Sequence, residues 1–187
     1  MSKQPQETTA KILDGNEVSG AIIARVREAI EAHVEAGGRR PGLAVVLVGN
    51  DPASSIYVRA NRRDCERAGI MARDFDLEAS TSQQDLLDLI GRLNNDPEVD
   101  GILVQLPLPP HIEEAAITNS IHSDKDVVGF HAFNVGKLAL RQPGLRPCTP
   151  RGIMALLHYY GIANKSMHAV VVGASNIVGR PMALELL

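Results

Sequence analysis

Tyr57 and Asn61 stand four residues apart in the segment VGNDPASSIYVRANRRDCERAG. At about 100° per residue they share one stripe of a helix with Val58, Cys65 and Ala68, while Arg59, Arg62, Arg63, Glu66 and Arg67 take the rest of the circumference. An aromatic hydroxyl with a polar residue one turn later, on the inward face of a helix at the carboxyl edge of a sheet, is where an α/β protein holds a ligand. The same stripe also fits ordinary core packing with one hydrogen-bonded amide. Gln105 is a lone amide at the end of the apolar run GILVQLPLP. A buried amide needs partners, and either the protein or a ligand can supply them. A third feature is MHAVVVGASNIVGRPMALELL, an apolar run, a glycine-containing turn and a helical stretch. Such a turn offers backbone N–H groups and a positive helix end to a pyrophosphate. Its G-x-S-x-x-x-G spacing matches only part of the common G-x-G-x-x-G, and a strand-to-helix turn without a ligand fits as well.

The elements that must position these groups alternate between apolar runs and helical patterns, the signature of a parallel sheet with crossover helices. Strands are expected at 43–48, 72–77 and 101–106, with a last one ending at Gly173. Helices are expected at 18–35, stopped by Gly37 and Gly38, from near Ser54, at 82–93 and at 151–160. Between Pro107 and Pro150 the turn-rich PLPPH, SDKDVVGF and RQPGLRPCTP segments break the order. A boundary near 147–150 divides an α/β domain, 1–148, from the opening of a second, 149–187.

The chain has 187 residues, 44% hydrophobic and 22% charged, with a formal net charge of -3 and no block of like charge. This describes a globular protein with nothing that asks for nucleic acid. No apolar run approaches the roughly 20 residues of a membrane span, and the N-terminus MSKQPQETTAK has no hydrophobic leader, so the cytoplasm is the expected place. Cys65 and Cys148 are isolated, and the six histidines never pair at i, i+4. Neither a disulfide framework nor a metal site is indicated.

The strings VGNDPASSIYV, DGILVQLPLP, FNVGKL, RPCTPRGI and GASNIVGRP, in this order from about Lys11 to Leu187, resemble the bifunctional methylenetetrahydrofolate dehydrogenase/methenyltetrahydrofolate cyclohydrolase family. The resemblance implies a parallel three-layer folate-binding domain followed by the start of a Rossmann-like NAD(P)-binding domain. It implies 5,10-methylene- and 5,10-methenyltetrahydrofolate as substrates, NADP as cofactor with NAD as the other option, and a homodimer formed through the nucleotide domain. The activities implied are hydride transfer from the methylene bridge to NADP+ and hydrolytic opening of the methenyl cation. Tyr57 would stack on or orient the folate, Gln105 would hydrogen-bond near the reacting centre, and Gly173, Ala174 and Ser175 would contact the cofactor.

Two positions depart from the family pattern. Its tyrosine is followed in Y-V-x-x-K by a catalytic lysine, and Asn61 stands here. An amide neither exchanges a proton near neutral pH nor carries positive charge. General acid–base catalysis contributes roughly 10²–10⁴-fold, so about 3–5 kcal/mol of barrier lowering is expected to be lost, most of it from the cyclohydrolase step. In D-x-D-V-D-G the second folate-contacting carboxylate falls at Val128. A valine there leaves pterin donors unpaired, and Asp126, about 6–7 Å away along an extended chain, is not expected to replace it. Arg62 and Arg63 lie about 100° and 200° round the helix from Asn61 and are expected on the solvated face. The resemblance also implies further nucleotide-domain strands and a PGGVGP segment, so the chain is expected to be a fragment, or else 169–187 packs on the first domain or a partner.

Overall fold

The computed structural model describes residues 10–162 and 165–187. Helix α1, Gly15–Glu35, is capped by Asp14, whose side chain accepts from Asn16 N at 2.8 Å. It buries Val18 and Ile30. Strand β1, Gly42–Val48, is buried at all but two positions, as an apolar strand covered on both faces must be. Helix α2, Pro52–Ala68, starts at the Asp51 cap and ends at Gly69 with φ 81°, a left-handed stop that glycine adopts without strain. Strand β2, Met71–Leu77, helix α3, Gln83–Asn95, and strand β3, Gly101–Val104, complete two βα units.

The sheet runs in the order β2-β1-β3, all parallel, with Leu43 opposite both Ala72 and Gly101. Helices α1 and α2 contact each other on one side of it. On the other, Leu86, Leu89, Ile90 and Leu93 of α3 form a core with Ala44, Val46, Ile102 and Val104. Ile117 and Ile121 extend this core. The chain is thus a parallel α/β layer structure, as the alternating pattern indicates.

Three expectations change. Two short helices, α4 at Glu114–Ser120 and α5 at Ala132–Ala139, lie in the stretch read as turns. Two helical turns are too few to establish a 3.6-residue period, and Gly136 interrupts α5 in the sequence. Strand β3 stops at Val104 rather than 106, although Gln105 N still donates to Val46 O at 2.8 Å. Pro107 then offers no donor with which to continue. Finally, 167–173 forms no strand: Val170 is 75% and Val172 97% exposed. A strand exists only by pairing, and among the described residues none lies beside this run. Helix α6, Cys148–Tyr159, precedes it, and α7, Gly179–Leu186, follows and packs on α5 and α6. No described helix is long and apolar enough to cross a membrane.

Candidate functional site

The carboxyl end of β1 turns through Gly49, whose φ of 85° suits glycine and whose N–H donates to Leu77 O at 2.9 Å. Asp51 then accepts from Ser54 N at 2.7 Å and starts α2 above the sheet edge. Within α2, Val58, Cys65 and Ala68 are buried and Asn61 is half-buried. Tyr57 is not on the inward face: it is 62% exposed. Ser54, one turn earlier, and Val58, the next residue, are buried at 2% and 5%, so the ring stands at the solvent border of the buried face rather than on it. Core packing therefore does not account for the ring. Arg62 leaves the site side for β2 and pairs with Asp74 at 2.5 Å, and Arg63 pairs with Asp64 at 3.7 Å, consistent with solvated arginines.

Gln105 follows directly on β3, next to β1 in the sheet, and is half-buried. Its Nε2 donates to Leu106 O at 2.8 Å. Beyond β3, a single bridge pairs Ile102 with Asp126, and Ile102 N donates to Lys125 O at 2.7 Å. The turn carrying Val128 therefore flanks β3. Val128 is half-buried, and its carbonyl accepts from Cys148 N at 3.1 Å at the start of α6. Asp126 is 1% exposed and both its carboxylate oxygens are hydrogen-bonded, accepting from Gly129 N at 3.0 Å, His131 N at 2.8 Å and Asn134 Nδ2 at 2.9 Å. Its burial keeps these oxygens within the turn, where they hold the turn and Asn134 rather than face a ligand. The topology thus puts Tyr57 and Asn61 on the helix that follows β1, Gln105 at the end of the neighbouring β3, and Val128 on the turn beside β3.

The turn before α7 is shaped by two glycines. Gly173 has φ 122°, and a Cβ on Gly179 would collide with the Gly173 carbonyl, so the end of the extended run and the helix start approach as closely as backbones allow. Ser175 Oγ accepts from Val178 N at 3.1 Å and Gly179 N at 3.2 Å, capping the helix from inside the loop. Gly173, Ala174 and Ser175 are exposed. A cavity of about 530 Å³ lies between this turn and the first layer, lined by Leu106, Phe130, Asn176, Ile177 and Arg180. It brings the neighbour of Gln105 and the second residue after Val128 against the Gly-rich turn. Cys148 is exposed as a residue, but its thiol turns inward to donate to Val127 O at 3.1 Å. Burial pushes that thiol above its ordinary value, and the charge of Asp126 adds to the effect. Among the described residues no cluster of His, Cys, Asp or Glu could hold a metal ion.

The profile of the tetrahydrofolate dehydrogenase/cyclohydrolase catalytic domain matches residues 13–127, and that of the same family's NAD(P)-binding domain matches 147–187. The chain belongs to the tetrahydrofolate dehydrogenase/cyclohydrolase family. It is 56% identical over 178 residues to the bifunctional protein FolD of Legionella pneumophila strain Corby, covering 95% of this chain and 63% of that one. The bifunctional FolD structure from Campylobacter jejuni superposes with a TM-score of 0.91 at 47% identity, covering 94% of this chain and 62% of the other. A Trypanosoma brucei FolD, solved with NADP cofactor and inhibitor, gives 0.90 at 34% identity, covering 95% and 61%. The chain therefore spans a little under two thirds of the family members it matches. Within the family fold, the Asp126–Asn134 pair is the feature that sequence reading missed. The spacing of a carboxylate and an amide across a glycine turn was its signal.

Proposed function

We propose that this chain forms the folate-binding half, through residue 148, and the opening of the NADP-binding half, from 149, of a methylenetetrahydrofolate dehydrogenase/cyclohydrolase. In this reading it binds reduced folate but turns it over poorly. The observation that carries the reading is the exposed Tyr57 ring on the helix that follows β1, the strand beside the one that ends at Gln105. An exposed tyrosine supplies a flat face for a pterin or aminobenzoyl ring, and Gln105, whose Nε2 donates to the Leu106 carbonyl, would in this reading offer its remaining amide atoms to the folate near the reacting carbons. Asn61 orients by hydrogen bonding alone, because an amide has no proton to give.

The Gly173–Ser175 turn fits a dinucleotide: a positive-φ glycine, an exposed hydroxyl and a helix start that tolerates no Cβ make a close backbone approach to a phosphate possible. Gly173, Ala174 and Ser175 would hold it, and when bound it supplies the hydride acceptor for the methylene carbon. With Val128 in place of a carboxylate, the folate's ring donors lose an acceptor and affinity falls.

A second reading, a noncatalytic relative that keeps folate binding as a binding or regulatory subunit, is favoured by the same two residues, Asn61 and Val128. Steady-state assays on the unaltered chain separate the two: slow but measurable NADP+ reduction marks the weakened enzyme, and none marks the noncatalytic relative. No measurable cyclohydrolase turnover is expected on methenyltetrahydrofolate, and robust NADP+ reduction would overturn the assignment of weakened catalysis. Calorimetry with 5-formyltetrahydrofolate tests binding itself, and absence of heat at millimolar ligand would remove both readings.

A further inference from the structure

The turn from Asp126 to His131 has no regular secondary structure, yet hydrogen bonds tie much of it down. Lys125 O accepts from Ile102 N of β3 at 2.7 Å. The Val127 and Val128 carbonyls accept from Cys148 Sγ and Cys148 N, both at 3.1 Å, at the start of α6. From α5, Asn134 donates through one Nδ2 to Asp126 at 2.9 Å and to Ser123 O at 2.8 Å. The turn is therefore anchored to three elements at once. Val127 fills the space a Cβ on Gly101 would need, and Gly129, with φ 78°, could bear no Cβ without striking the Arg146 carbonyl. Position 128 is left as the one between them whose side chain can change without breaking an anchor.

The centre of this arrangement is costly. Asp126 and Asn134 are each 1% exposed, and a buried carboxylate loses solvation that only hydrogen bonds can restore. An apolar pair would close the same space more cheaply, but it would leave the Gly129 and His131 N–H groups without their acceptor and the turn free to adopt other conformations.

We infer that Asn134, acting through the buried carboxylate of Asp126, is the positioning residue that presets position 128 for a bound folate. This rests on the folate reading above. The device is a rigid mount, and in this chain the mount is intact while the group it carries is a valine. A carboxylate returned to position 128 should therefore work at once, with no ordering cost, provided Asn134 is present.

The test is a double-mutant cycle in the full chain, read by calorimetry with 5-formyltetrahydrofolate. Val128→Asp is expected to tighten binding about tenfold in the native background and less than about twofold beside Asn134→Ala, because the two positions are coupled. An equal gain in both backgrounds would overturn the inference. If Asn134→Ala does not fold, Asn134→Ser takes its place. A readout without ligand accompanies it: methyl relaxation of Val128, expected to show one ordered rotamer in the native chain and loss of order in the Asn134 variant. A Val128 methyl equally ordered in both also overturns the inference. Absence of binding in every variant counts against the folate reading alone, and the methyl measurement then decides.

Discussion

At the scale of single residues, the ligand-facing role proposed for Tyr57 and the structural role of its buried neighbours on α2 can be separated by experiment. The ring is 62% exposed while Val58, Cys65 and Ala68 are buried, so Tyr57→Ala removes contact area for a ligand and almost none for the core. Binding of 5-formyltetrahydrofolate should weaken by about 1 kcal/mol, roughly fivefold, the value of one aromatic stack. The thermal midpoint should move by less than about 2 °C, as for most exposed substitutions. A large drop in midpoint with unchanged affinity would return Tyr57 to the core. Cys148 offers a second residue-level test. Burial holds its thiol above the ordinary value of about 8.5, and Asp126 adds to this, so less thiolate is present near neutral pH. The sign follows: with the folded value raised, the neutral thiol contributes stability below the unfolded value, and that contribution fades as pH rises through the folded one. Iodoacetamide at pH 8 should modify Cys148 more slowly than free glutathione, by intact mass. An equal rate would contradict a buried thiol.

At the scale of elements, the starts of β1 and β3 are clamped by one ion pair. Arg39 holds both oxygens of Asp100, at 2.6 and 2.8 Å, and the same carboxylate accepts from Gly42 N at 2.8 Å. The guanidinium keeps the Asp100 carboxyl below the usual aspartate range. A depressed value means the stabilisation is present above the unfolded value, about 4, and lost as pH falls through the lower folded one. Both groups are half-exposed, so Asp100→Asn should cost only about 1 kcal/mol at pH 7 in urea titrations. The gap between native and variant should narrow below about pH 4. A gap that stays constant down to pH 2.5 would remove the ion pair as its cause. The same scale shows what the sequence makes legible. Long periodic elements are: α1, β1, β2 and α3 lie within three residues of where apolar spacing places them. The two-turn helices α4 and α5 are not, because they are too short to show a period: α5 is started by the local cap in which His131 Nδ1 accepts from Phe133 N and is tied to α4 by Ala132 N donating to Asn119 Oδ1. Tyr57 was legible as a residue on the stripe but not as an exposed one, since a helical angle carries no information on where the buried face ends. The run at 167–173 reads as a strand because its valines favour one, but pairing decides.

At the scale of the whole molecule, the question is how α7 and its glycine turn are joined to the layer that carries Tyr57, Gln105 and Val128. Arg146 donates to Glu185 at 2.9 Å; the glutamate side chain is only 4% exposed, and its other oxygen is buried without a partner. The backbone of Arg146 lies against Gly129, so one residue backs the turn of Val128 and holds the helix that follows Gly173–Ser175. Removing the cation strands a buried carboxylate, whereas removing both charges strands nothing. Arg146→Ala should therefore lower stability by about 2–3 kcal/mol in urea titrations, less than for a fully buried pair because the arginine is partly exposed. Arg146→Met with Glu185→Met should recover most of it. If the tie also sets how the two halves meet, hydrogen exchange in Arg146→Ala should quicken together at Gly179, Arg180 and Gly129, and return to native rates in the double variant. Faster exchange confined to α7 would show that the glutamate serves its own helix and that the two turns are held independently.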